Sequence, residues 1–84
     1  MKNNDSLSIQ EIVIHTAHIQ LDQLLKWEGI IDTGGQVRPM LEEGMISING
    51  EIATERRKKI SPGDLVELKG VGVWKVIAPY SHTF

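Results

Sequence analysis

The sequence contains no cysteine, which excludes disulfides, thiol catalysis and cysteine-based zinc sites. Aromatic side chains are scarce: Trp27, Trp74, Tyr80 and Phe84 are the full set. They form no array of base-stacking platforms, and Trp27 and Trp74 read as packing residues. No apolar run approaches the ~20 residues of a membrane-spanning helix. The opening MKNNDSLSIQ is polar and lacks the apolar stretch of a secretory signal. The expected location is the cytoplasm, with no membrane partner. His15, His18 and His82 are scattered and make a poor metal set without cysteine. Glu42 and Glu43 are adjacent rather than facing, and Ser6, Ser8, Ser47 and Ser61 stand beside no evident base. No catalytic residue, metal or cofactor is assigned, so the expectation is a protein that acts by binding and not an enzyme.

What is present suffices for one small domain over 1–84. Leu, Ile, Val and Phe supply 25 of the 84 residues, above the level of a disordered chain, so a core is expected. The formal net charge is -2, yet the charges are segregated. Residues 1–54 carry three Lys/Arg against eight Asp/Glu, whereas residues 55–84 carry six against three. Arg56, Arg57, Lys58 and Lys59 stand consecutively. A focused basic spot can bind a polyanion despite an acidic total, because the local potential decides. Taken alone, such a run is as readily a solvated loop.

Residues 9–14, IQEIVI, are β-branched and short, which predicts a strand, at a sheet edge if its imperfect alternation is a guide. Leu21 to Glu28 reads as a short helix, with Leu21, Leu24, Leu25 and Trp27 at helical spacing, Asp22 as the first-turn cap, and Gly29 as the stop. A second helix is expected over 34–43. Thr33 and Gln36 fit a capping box, Val37, Met40 and Leu41 fit a core face, and Gly44 fits the stop. Pro39 falls inside it and predicts a bend. Asn49-Gly50 between MISI and EIAT is the preferred type I′ hairpin signal. That pairing sets Ile48 against Glu51 and Ile46 against Ala53, with Ile46, Ile48 and Ala53 on the core face. Ser61-Pro62-Gly63-Asp64 is a turn, followed by strands over 65–68 and 73–77, and residues 79–84 read as a loose tail. The fold class is α+β: two short helices on a small, mostly antiparallel sheet.

The stretch from Leu21 to Leu68 resembles the S4-type RNA-binding domain, the αL motif. Leu21-Asp22-Gln23-Leu24-Leu25, Gly29, Thr33-Gly34-Gly35, Gly44, Ile46-Ser47-Ile48-Asn49-Gly50 and Gly63-Asp64 follow the family pattern in order. The core motif covers about 19–69. The Thr-Gly-Gly start and the basic run are similar to a subgroup of small stand-alone bacterial members, in which extra N- and C-terminal strands complete the sheet. Gln20 stands where many members have Arg, and Gly34-Gly35 where many have Ser-Arg. The resemblance then implies heavier reliance on loop 56–59. Pro39 also replaces a usual helix former.

The resemblance implies RNA binding by the second helix and the hairpin loop. The residues fit that chemistry. Thr33, Gly34, Gly35 and Gln36 would present free amides at a helix start, with no side chain on the glycines to keep a phosphate away. Arg38 reaches the same anion, Arg56, Arg57, Lys58 and Lys59 supply the electrostatic term, and Lys26 flanks them from the first helix. Gly34-Gly35 fits a tight inter-helix turn equally well, and Gln36 is equally explained by the capping box. The expected partner is a structured RNA, ribosomal RNA or a ribosomal assembly intermediate by family analogy, bound by a monomer. The competing reading is an interaction module that docks an acidic protein partner on the basic loop.

Overall fold

The computed structural model describes residues 9–79. The tail expected over 79–84 therefore lies, beyond Pro79, outside the described residues. Seven strands and two α-helices follow one another as β1 (Ile9–Val13), β2 (Ile19–Gln20), α1 (Leu21–Trp27), α2 (Val37–Glu42), β3 (Ile46–Ile48), β4 (Glu51–Ile52), β5 (Lys59–Ile60), β6 (Leu65–Leu68) and β7 (Gly72–Ile77). A single 3-10 turn, Gly34–Gln36, leads into α2.

The hairpin forms as its two central residues demand. Asn49 and Gly50 both take positive φ, 54° and 87°, the pair of angles that matches strand twist in a type I′ turn. Ile48 faces Glu51, and the Ala53 amide donates to the Ile46 carbonyl at 2.8 Å. Ile46, Ile48 and Ala53 are buried, as the register requires. The main sheet runs β1-β7-β6-β3-β4. All its pairings are antiparallel except β1 with β7, which is parallel. Residues 9–13 thus do form an edge strand. Both helices lie over one face. Leu21, Leu24, Leu25 and Val37 join Ile12, Ile14, Ile46, Val66, Leu68, Trp74 and Val76 in one apolar cluster. Met40 and Leu41 pack against it from α2.

Three expectations need correction. Asp22 does not cap α1: the Leu21 and Asp22 amides donate to the carbonyls of Lys58 and Arg56, both at 2.9 Å. Gln23 Oε1 accepts from the Gln20 amide at 3.3 Å, so Gln20 holds the N-cap position. Trp27 is not a packing residue but is 59 % exposed, because at about 100° per residue it points roughly 110° away from the centre of the Leu21-Leu24-Leu25 stripe. Trp74 is buried, and its indole N–H donates to Glu28 Oε1 at 3.0 Å. Finally, the second helix does not run as one α-helix from residue 34. Its first three residues form the 3-10 turn, and α2 begins at Val37. Pro39 therefore sits in the first α-turn, where no amide is needed.

A second, two-stranded sheet pairs Ile19 with Ile60 and Gln20 with Lys59. Strands of two residues carry no periodicity, so nothing in the local pattern marks them. They matter because β2 runs directly into α1, and β5 ends the basic loop.

Candidate nucleic-acid interface

The site is assembled by the β2–β5 pair. It draws the segment 54–58 across the start of α1, where the carbonyls of Arg56 and Lys58 receive the first two helix amides. A loop whose backbone serves as a helix cap is held at defined points although all of its side chains from Thr54 to Lys59 are exposed. Backbone carbonyls thus do what Asp22 was expected to do, which frees the Asp22 side chain.

On the other side stands the 3-10 turn. Gln36 Oε1 accepts from the Thr33 amide at 3.1 Å and from the Asp32 amide. This is the Gln36 half of the expected capping box, and it uses up the Thr33 amide. The Gln36 amide donates to the Thr33 carbonyl at 3.1 Å, and the Val37 amide to the Gly34 carbonyl. The amides of Gly34 and Gly35 remain, with no acceptor among the described residues. With α2 only six residues long, its dipole adds little, and the local donors carry the chemistry.

The two sides meet at Gly34. A methyl group built there would stand 3.4 Å from Asp22 Oδ2 and 4.0 Å from Arg56 Nη1. Arg38 and Arg56 also line one surface groove, with Leu41, Glu42 and Thr54. Arg56 thus borders both Gly34 and the groove that holds Arg38, a proximity that the linear sequence alone leaves open. Gly35 and Thr33 flank Gly34 on the turn. Lys26 is exposed in the last turn of α1, four residues after Asp22, which puts it one helical turn along the same stripe.

The basic run does not form a single patch. Lys58 and Lys59 open onto a neighbouring hollow that also contains Glu51, Glu55 and Asp64, and Lys59 stands opposite Gln20 across the short sheet. Arg57 is exposed between them. Arg56 is the member of the run that turns toward Gly34 and Arg38.

Two features escaped the sequence reading. Asp22 lies beside Gly34, and its Oδ1 is buried with no hydrogen-bond partner. Asn49 and Asp64 clasp each other: Asn49 Nδ2 donates to Asp64 Oδ1 at 3.0 Å, the Leu65 amide donates to Asn49 Oδ1 at 2.9 Å, and the Ser61 amide donates to Asp64 Oδ2 at 2.8 Å. Each sits in a recognisable turn, but the pairing of the two turns is not encoded in either. Among the described residues no group of three or more His, Asp or Glu side chains is placed to hold a metal ion. No helix among them is long and apolar enough to cross a membrane.

Comparison with known proteins places this arrangement. The family model of the S4 domain matches residues 12–76. The Bacillus subtilis (strain 168) protein named "Probable ribosome maturation protein RlbA" is 36% identical over 66 residues, covering 79% of this chain and 93% of that protein. YbcJ of Escherichia coli (strain K12), whose name proposes RNA binding, is 36% identical over 56 residues, covering 67% of this chain and 80% of its own. The solution structure of YbcJ, described as an αL motif involved in RNA binding, superposes with a TM-score of 0.59 at 26% identity, over 93% of this chain and 96% of that one. The two helices on a mostly antiparallel sheet and the match over most of the chain lead to one conclusion: this protein belongs to the S4 domain family.

Proposed function

We propose that this protein binds a structured RNA, ribosomal RNA or a ribosomal assembly intermediate, and acts by binding without catalysis. The supporting observation is that Arg56 lies both beside Gly34, whose Cβ position is 4.0 Å from Arg56 Nη1, and in the groove that Arg38 lines. Two guanidinium forks beside exposed backbone donors suit phosphate, which accepts bidentate hydrogen bonds from arginine. Thr33 and Gln36 hold the turn that presents those amides. Lys26, Arg57, Lys58 and Lys59 stand exposed on the flanking elements and add to the potential over about one Debye length, ~10 Å at moderate salt. With so few exposed rings, recognition goes through the shape and backbone of a folded RNA rather than through stacked bases. The ribosomal target is supported by the names of the relatives: RlbA is named for ribosome maturation and YbcJ for RNA binding.

The test is fluorescence anisotropy with a ribosomal RNA stem-loop, a single-stranded RNA and a DNA duplex, each across a salt series. The stem-loop should bind tightest. Its affinity should fall steeply with salt, and Arg38→Ala with Arg56→Ala should flatten that slope by roughly one per lost phosphate contact. Equal binding by this double variant would refute the face as drawn.

A further inference from the structure

We propose that the hollow beside the hairpin holds one unpaired guanine nucleotide of the bound RNA, its base edge on the carboxylates of Glu51 and Glu55 and its phosphate on Lys58 and Lys59. The inference rests on the RNA-binding reading above and deepens it, from backbone contact to the choice of one base.

The hollow measures about 450 Å³, within the ~300–1,000 Å³ of small-ligand sites. It lies between the β3–β4 hairpin and the loop that follows, and Ile48, Ile52 and Ala53 give it apolar surface. Ile52 is 62 % exposed, so a flat base laid against it removes apolar surface from water. Asn49 and Asp64 also line the hollow, but they are engaged with each other and with the Leu65 and Ser61 amides. Among the described residues no hydrogen bond or ion pair engages the side chains of Glu51, Glu55, Lys58 or Lys59. Two acceptor-only groups and two donor-only groups thus line one space without satisfying each other.

They fit a ligand with donors at one end and negative charge at the other. Guanine presents N–H bonds at both N1 and N2 on its pairing edge, enough to serve two carboxylates. Adenine and cytosine present only an amino group there, and uracil only one N–H. Guanine offers that edge when unpaired, and splayed bases in loops and bulges are where proteins read RNA sequence. The strand gripped by the arginines can deliver it. Thr54 lines both this hollow and the groove of Arg38 and Arg56, so the two spaces adjoin.

The experiment uses four stem-loops of ribosomal RNA, identical except for one bulged nucleotide, and fluorescence anisotropy at fixed salt. The loop with bulged G should bind roughly tenfold tighter than those with A, C or U. Bulged inosine, which lacks the N2 amino group, should lose most of that preference. Glu51→Gln with Glu55→Gln removes two negative charges at exposed positions, so charge counting predicts tighter binding of all four loops. The proposal predicts instead that the guanine preference disappears, whatever the common affinity does. Guanosine monophosphate in excess should cancel the preference without releasing the RNA. Equal binding of the four loops by wild type overturns the proposal and leaves the arginine face standing. A preference that survives in the double variant overturns it too. So does guanosine monophosphate shifting the amides of 51–59 while the four loops bind alike, which makes a free nucleotide the ligand. If no stem-loop binds, the RNA reading falls and this inference falls with it.

Discussion

Gly34 occupies a point where a side chain would meet both a carboxylate and a guanidinium at ordinary contact distances, and its φ is not in the left-handed region. A methyl group there is tolerated by the fold and, if phosphate binds as proposed, intrudes on it. Gly34→Ala should therefore keep or raise the melting temperature, since it restricts the unfolded chain, yet lower RNA affinity by about tenfold, equivalent to ~1.4 kcal/mol. Melting curves and anisotropy on one sample check this split. Asn49 and Asp64 show the reverse pattern, a purely structural pair. Asn49→Ala removes two hydrogen bonds and a residue suited to positive φ. It should cost about 1–3 kcal/mol in urea denaturation and change RNA affinity little. The turn roles of Asn49 and Asp64 are legible in the sequence, because Asn-Gly and Pro-Gly-Asp are local codes. Their contact is not, because it joins residues 15 apart in the chain. Asp22 was misread for a related reason. A carboxylate in a first helical turn predicts a cap, and only the tertiary arrangement reveals that loop carbonyls have taken that place.

At the scale of elements, the long signals are legible and the short ones are not. Helix α1, the hairpin and strands β1, β6 and β7 each carry enough apolar pattern to place them within a residue or two. Strands β2 and β5 are two residues each and exist through their partner alone. They are also what presents the basic loop, so the geometry of the candidate site depends on the least legible part of the fold. Pro39 illustrates how context rescues a poor residue. In a helix interior it would cost ~3 kcal/mol, but in the first turn of α2 it is nearly free. Pro39→Ala should change unfolding free energy by less than ~1 kcal/mol, where an interior proline would give a gain of about 3. Just beyond β1, Ile14 is buried at 1 % exposure and its amide donates to the Ile77 carbonyl at 3.0 Å. Ile14→Ala should cost about 2–5 kcal/mol, measurable as a lowered denaturation midpoint with an unchanged slope.

For the whole molecule, the net charge is -2, and the fold brings Arg38 and Arg56 to one groove, beside Glu42. Arg38 comes from the acidic half of the sequence and Arg56 from the basic half, so no inspection of charge along the chain pairs them. The family resemblance read from Leu21 to Leu68 does imply one face for the second helix and the loop, and the geometry at Gly34 agrees. Gln20 pairs with Lys59 across the short sheet. The central claim is that RNA meets the face built from Gly34, Gly35, Arg38 and Arg56. The most direct measurement is NMR titration of the labelled protein with a ribosomal RNA stem-loop. The account predicts the largest shifts at the Gly34 and Gly35 amides, at Arg38 and across 56–59, with β1 and the exposed face of β6 unmoved. Shifts centred on β1 and β6, with Gly34, Gly35 and Arg56 silent, would contradict it.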